Sequence, residues 1–265
     1  SGEIRFALAM TEPQAGSDLS AIETTARRDG ESYVINGTKT FCCGAHVAHR
    51  IVTLAKTGNL ENPLKTMTLL IVESGAPGLT IRPLDQLGHR AVTSCEVVYR
   101  NVRVPLASRI GEENEGFRAV MKTVSIDRIA AAAVCVGMAQ VAFDDAAEHA
   151  KTRVQFGKPI AKHQAIRHTL AELATEIDAA RLATYHAARL ASGGGRHERE
   201  SAVAKLWASR TCMRAAERGM QILGGYSNLM EHDMQRYYRD AKAMEIAAGT
   251  SEMQKNQIAR SIGVA

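Results

Sequence analysis

The stretch Pro105-Leu106-Ala107-Ser108-Arg109-Ile110-Gly111-Glu112-Glu113-Asn114-Glu115-Gly116 divides two kinds of sequence. Before it lie short apolar runs cut by turn residues. After it, from Phe117 to about Thr152, the chain is free of proline, rich in alanine, and carries Ile126, Ile129, Ala133, Val136 and Gln140 at helical spacing. A polar stretch with two glycines between such regions marks a domain boundary. The expected domains are therefore residues 1–112 and 113–265.

The first region is expected to be β-structure. Phe6-Ala7-Leu8-Ala9-Met10 is strand-like and so near the start that the chain is expected to open inside a domain. Ser32-Tyr33-Val34-Ile35 and Thr38-Lys39-Thr40-Phe41 flank Asn36-Gly37, a pair that tolerates the positive φ angles of a type I′ hairpin turn. Further apolar runs at 51–55, 67–72, 79–81 and 95–99 are separated by turn residues such as Gly75-Ala76-Pro77-Gly78. This pattern predicts an antiparallel sheet or barrel-like domain.

The second region predicts a helical bundle. A second helix follows Pro159, with Ile166, Leu170, Leu173 and Ile177 on one face, and stops at Ser192-Gly193-Gly194-Gly195. A third spans about 198–223 and ends at Gly224-Gly225. Shorter helices at about 233–246 and 250–262 close the chain. Long amphipathic helices joined by short loops give an α+β, two-domain protein with a C-terminal four-helix bundle.

With 265 residues the chain can bury a core unaided, and 23% charged against 45% apolar residues fits a globular protein. Five cysteines, two of them adjacent at Cys42-Cys43, do not make a disulfide framework and point to a reducing compartment. No run approaches the roughly 18 consecutive apolar residues of a membrane span. The net charge of +5 favours acidic partners, cofactor phosphates among them, but no dense Lys/Arg block supports nucleic-acid binding. His46 and His49 have no Cys or acidic partners at metal-ligand spacing, so no metal is expected.

Six segments stand in order along the chain: Met10-Thr11-Glu12-Pro13-Gln14-Ala15-Gly16-Ser17-Asp18, Asn36-Gly37-Thr38-Lys39-Thr40-Phe41, Arg153-Val154-Gln155-Phe156-Gly157, Gln221-Ile222-Leu223-Gly224-Gly225, Arg239-Asp240-Ala241-Lys242 and Gly249-Thr250-Ser251-Glu252. With the switch from strands to helices, this set resembles the acyl-CoA dehydrogenase family over essentially the whole chain. The family's N-terminal helical domain has no counterpart here, as expected of a fragment or truncated member.

The resemblance implies FAD bound where β-domain and bundle meet. Leu8, Met10, Thr11, Gly16 and Ser17 would line the flavin, Phe41 would cover its rings, and Cys43 would stand near N5 in place of the family's usual hydroxyl residue. Arg153 and Phe156 would meet the pyrophosphate and adenine side, with His163, Gln164, Gln221 and Gly225 contributed by a neighbouring subunit and Thr250 and Glu252 completing the set. An arginine suits phosphate because its planar fork pairs with two oxygens and stays charged.

Dehydrogenation α,β to a thioester needs a carboxylate of raised pKa near the α carbon. Most family members carry a glutamate just before the Gly-Thr pair, where this chain has Ala248. Isovaleryl-CoA and long-chain enzymes, which this sequence resembles here, place it on the first long helix instead. The matching residue is Asp127, in Ser125-Ile126-Asp127-Arg128, one methylene shorter than glutamate. Ser17, Ser125, Asp127, Arg128, Ala248 and Gly249 would line the acyl-CoA site, and Glu245 is read as structural.

The family likeness further implies a trans-2-enoyl-CoA product, electron transfer to an electron-transferring flavoprotein, a role in fatty acid or amino acid catabolism, and a homotetramer built as a dimer of dimers. The location implied is the cytoplasm, or the mitochondrial matrix in a eukaryote. Ala248 also leaves open a catalytically silent FAD-binding subunit, and the net charge a nucleic-acid-binding relative.

Overall fold

The computed structural model describes residues 2–58 and 61–264, which form two units, 1–122 and 123–265. In the first, strands β1 (Phe6–Ala9), β2 (Thr25–Asp29), β3 (Ser32–Cys43), β4 (Arg50–Lys56), β5 (Met67–Glu73), β6 (Leu79–Pro83), β7 (Ser94–Pro105) and β8 (Arg109–Ile110) form one sheet. Its order is β6-β7-β3-β2-β4-β5-β8, with β1 added alongside β4. Most neighbours are antiparallel, but β1 and β2 each pair with β4 in parallel. Among the described residues the path does not close into a barrel, since β6 and β8 are its ends.

The expected hairpin at Asn36-Gly37 is not there. Both residues lie inside β3, a continuous strand of 12 residues that pairs with β7 along its length, with a register irregularity between Ile35 and Gly37. Gly37 serves close approach instead: a Cβ on it would stand 2.3 Å from Thr24 Oγ1 and 2.7 Å from Thr24 Cα. Long-range pairing has overridden a local turn preference. The actual turn before β3 is Gly30-Glu31, between the paired Asp29 and Ser32, with Gly30 at φ 60° as the first central residue. Alternating inward residues of these strands, among them Tyr33, Ile35, Ile51, Leu70, Val97 and Tyr99, make the core of this unit.

The second unit is helical: α1 (Gly116–Thr152), α2 (Gln164–Ser192), α3 (Glu198–Leu223), α4 (Asp233–Ile246) and α5 (Ser251–Ser261). Each follows an amphipathic run in the sequence, and α3 stops where Gly224 takes φ 66°. By length and composition alone α1 could cross a membrane, although the sequence has no unbroken run of that size. Its apolar stripe, including Ile129, Ala132, Cys135, Val136 and Ala139, lies in the bundle core with Leu173, Ile177, Ala208 and Cys212. Small residues dominate that stripe, which is what close helix packing selects. Between α1 and α2, β9 (Val154–Gln155) and β10 (Lys158–Pro159) form a small hairpin. Its central residues Phe156 and Gly157 both have positive φ, 52° and 76°, as a type I′ turn requires.

Candidate functional site

In the sheet unit the Met10–Asp18 loop is fastened from below. Lys39, on the inward face of β3, donates from Nζ to Met10 O and to Glu12 Oε1, each at 2.8 Å. Glu12 in turn accepts from the backbone N–H of Glu23 at 2.6 Å and of Thr24 at 3.0 Å. Both side chains are shut from solvent, Lys39 at 0% and Glu12 at 3% exposure. Burial alone would raise the Glu12 carboxyl, but the Lys39 charge and these hydrogen bonds outweigh it and hold it at about 2. Burial pulls the Lys39 ammonium below its ordinary value, against the pull of Glu12.

Upon this base, Thr40 N donates to Thr11 O at 2.9 Å, which sets the loop beside the end of β3. There the register with β7 shifts between Lys39 and Cys42, and Phe41 adopts φ 54°. An aromatic residue in that region is strained and persists only where its surroundings fix it. Phe41 is 67% exposed, and Leu8 on β1 also faces outward. Cys43 is exposed as well, its Sγ 3.4 Å from Ser94 Oγ. Gly16 has no atom within 4 Å of where a Cβ would stand. Met10, Thr11 and Phe41 are thus brought together, with Leu8 and Cys43 presenting surface outward.

In the helical unit, Asp127 and Arg128 are neighbours of opposite environment. Arg128 is buried, and its Nε has no hydrogen-bond partner among the described residues. Asp127 exposes much of its surface and makes no hydrogen bond or ion pair among the described residues, yet partial burial raises its carboxyl pKa, with Arg128 opposing. Ser125 Oγ meets His197 Nε2 at 3.2 Å. His197 Nδ1 donates to Gly195 O at 2.9 Å, so in the neutral ring Nε2 is the acceptor for the Ser125 hydroxyl.

The turn after α4 comes close to Arg128: a Cβ on Gly249 would be 3.8 Å from Arg128 Nη2. Ala248 and Gly249 both have positive φ, and Thr250 caps α5 by accepting from Met253 N at 3.3 Å. Glu252 sits in the first turn of α5, where the helix dipole favours a carboxylate, and bonds Lys255. Glu245 is paired with Lys242 at 2.7 Å.

The β9–β10 hairpin carries Phe156 at its tip, 93% exposed, with the His163 ring edge-on at 6.0 Å. Arg153 lines a cavity of about 440 Å³ with His149, Gln155, Gly224, Gly225 and Tyr226, and makes no ion pair among the described residues. Burial, Arg153 and His232 all lower the His149 pKa, which favours the neutral ring beside the arginine. Gln221 lines an adjacent cavity with Gly224 and Tyr238, whereas Gln164 points to His168. Elsewhere, His46 Nδ1 faces Cys95 Sγ at 3.5 Å and His49 Nδ1 accepts from Arg5 N.

Residues 7–102 match the model of the acyl-CoA dehydrogenase middle domain, and residues 114–263 that of the acyl-CoA dehydrogenase C-terminal domain. The chain belongs to the acyl-CoA dehydrogenase family. It is similar to a probable acyl-CoA dehydrogenase of Bacillus subtilis, 41% identical over 99% of this chain and 69% of that protein. A 3-(aryl)acrylate reductase of Clostridium sporogenes is 39% identical over 98% of this chain and 69% of its own length. Among solved structures, the acyl-CoA dehydrogenase of Geobacillus kaustophilus matches with a TM-score of 0.97 at 37% identity, covering 99% of this chain and 70% of that one. The chain thus spans about two thirds of the length of such relatives. As a member of a family of FAD-dependent flavoproteins, it is an oxidoreductase acting on a CH–CH bond.

Sequence reasoning named most of these positions from the family's motifs. It gave no role to Glu12, Lys39, His149, His197, Lys205 or Gln254. Some of these do stand out: Lys39 shares strand parity with Tyr33 and Ile35, and Lys205 stands among Ser201, Ala208 and Cys212 at helical spacing.

Proposed function

We propose that this chain, with FAD, removes hydrogen from the α and β carbons of an acyl-CoA thioester to give a trans-2-enoyl-CoA, with Asp127 as the base. The observation that carries this reading is Arg128: a buried guanidinium whose Nε–H lacks an acceptor among the described residues, next in sequence to a carboxylate of raised pKa. A buried unpaired donor is costly, and a polar substrate group would satisfy it.

The residues fit FAD. Leu8, Phe41 and Phe156 offer exposed apolar surface, two of them from strained backbone, and Arg153 is a guanidinium without an ion-pair partner among the described residues, beside glycines whose missing Cβ atoms leave room for a ligand. FAD, when bound, would supply the acceptor for the hydride leaving the β carbon.

The chain's own residues do the rest. Asp127 takes the proton from the α carbon, and its raised pKa makes it a better base than an ordinary aspartate. Arg128 orients the thioester, and its charge opposes the rise that burial gives the Asp127 carboxyl. The Glu12–Lys39 pair holds the Met10–Asp18 loop in the shape the flavin needs.

Reductase names among the relatives, such as the 3-(aryl)acrylate reductase and the acryloyl-CoA reductase of Anaerotignum propionicum, favour a second reading in which the same site runs toward the saturated product. Asp127 would then deliver the proton. An electron-transferring flavoprotein is the proposed electron partner in either direction, supported by a relative named as a subunit of a caffeyl-CoA reductase–Etf complex. A homo-oligomer in the cytoplasm, or in the matrix of a mitochondrion, accompanies this reading.

The test is anaerobic titration of the FAD-loaded, full-length protein with straight, branched and cyclic acyl-CoA thioesters. Bleaching by one class, abolished in Asp127→Asn with FAD content unchanged, is expected. Bleaching that survives the substitution would remove Asp127 from the role, and wild-type protein that holds FAD but is bleached by none would favour the silent subunit.

A further inference from the structure

The turn between α4 and α5 is held by two fully buried side chains that no sequence motif singles out. Ala248 and Gly249 both lie in the left-handed region, at φ 54° and 85°, and an alanine there needs support from its surroundings. Gly249 O accepts from Gln254 Nε2 at 2.7 Å and from Lys205 Nζ at 2.9 Å. Lys205 Nζ also donates to Glu245 O at 3.0 Å, a last-turn carbonyl of α4 that the helix end leaves without an intrahelical partner. Gln254 Nε2 lies 3.3 Å from Ala248 O as well.

An ammonium buried at 0% exposure is expensive, and no carboxylate lies within ion-pair distance of Lys205 among the described residues. What it gains is geometric. From α3 it caps the C-terminus of α4, where a cation is also favoured by the helix dipole, and ties that end to the carbonyl three residues beyond Ile246.

We propose that Lys205 is a positioning residue for the dehydrogenation: by clamping Glu245 O and Gly249 O it fixes the Ala248-Gly249 turn against which the acyl thioester is placed. This rests on the assignment of Ala248 and Gly249 to the acyl-CoA site. The closeness of Gly249 to Arg128 Nη2 means that a shift of this turn would also disturb the guanidinium.

The clamp is titratable near neutrality. Burial, helped by Arg128 of α1, brings the Lys205 ammonium down to about 8 against the opposing pull of Cys135 of α1, Glu245 of α4 and Glu252 of α5. Loss of its charge turns two charge-assisted hydrogen bonds into ordinary ones.

The experiment uses the FAD-loaded, full-length protein, wild type and Lys205→Met, across neutral to alkaline pH. Amide hydrogen exchange of residues 245–252, corrected for intrinsic base catalysis, is measured beside single-turnover flavin reduction by a thioester that the wild type accepts. In Lys205→Met, with FAD content unchanged, exchange of this segment should be faster, reduction roughly tenfold or more slower, and the alkaline limb of reduction near the Lys205 pKa lost. Wild-type exchange in the variant, or an alkaline limb that persists, would overturn the proposal.

If Lys205→Met does not fold, the wild-type series decides. Protection of 245–252 that falls through the pKa of Lys205 while α2 is unchanged supports the clamp, and protection that ignores pH overturns it. A wild type reduced by no thioester would bring down the acyl-CoA reading and the positioning role together, whereas an active wild type with an unaffected variant would bring down only the role of Lys205.

Discussion

Lys39 Nζ stands 2.8 Å from Glu12 Oε1 where neither side chain reaches solvent, and the same ammonium holds Met10 O. The Met10–Asp18 loop is therefore anchored to the sheet through one buried charge pair. Removing one partner of such a pair leaves the other charge buried and unpaired, at a cost of about 3–5 kcal/mol. Lys39→Met should lower stability by that order and weaken FAD retention, because the loop loses its anchor. Denaturant titration and flavin release on dilution would check both, and a variant that keeps wild-type stability and flavin would refute the anchoring.

The same pair predicts an acid transition. Glu12 is held at about 2 against an ordinary 4.5, so its contribution to stability is present above pH 4.5 and lost as pH falls through 2. The shift corresponds to about 3 kcal/mol. Stability measured down that window should drop more steeply for the wild type than for a Glu12→Gln, Lys39→Met double variant. Parallel curves would show that the pair carries no linkage.

Gly37→Ala should destabilise the sheet unit by about 1–3 kcal/mol, because the new Cβ would collide with the Thr24 backbone from inside a strand already at φ 150°. Had Gly37 been a turn residue, the loss would come from φ alone and alanine at Thr24 would not matter. Combining Gly37→Ala with Thr24→Ala should recover only part of the stability, since Thr24 Cα remains 2.7 Å away. Full recovery would assign the clash to the side chain.

That glycine also marks where sequence and structure part. Long helices were legible because their apolar spacing is sustained over many turns and Gly193 and Gly224 stop them abruptly. Asn36-Gly37 misled because turn propensity is local, whereas the 12 residues of β3 are fixed by pairing with β7 some 60 positions away. Phe156-Gly157, with no turn pair of the favoured kind, makes the type I′ hairpin instead. At the site, motif positions such as Phe41 and Arg153 could be read, but Lys39, Lys205 and Gln254 could not, since a charged or amide side chain is by default a surface residue. Their burial depends on carbonyls brought to them by distant segments, Met10 for Lys39 and Gly249 for Lys205.

The relation between Asp127 and Arg128 gives the sharpest test of the chemistry. Partial burial raises the Asp127 carboxyl and the adjacent guanidinium restrains the rise. The proposed base must be ionised to act, so on that assignment flavin reduction by an acyl-CoA should fall on the acid side as Asp127 takes up its proton. Taking away the guanidinium in Arg128→Met leaves burial unopposed, and the acid limb should move to higher pH when read at saturating thioester. In Asp127→Asn the rate should drop by about 10²–10⁴ and the limb should vanish. Stopped-flow reduction across pH, with FAD content checked in each variant, measures all three. An acid limb that stays in place without Arg128 would mean that another group sets it, and one that survives in Asp127→Asn would place the base elsewhere.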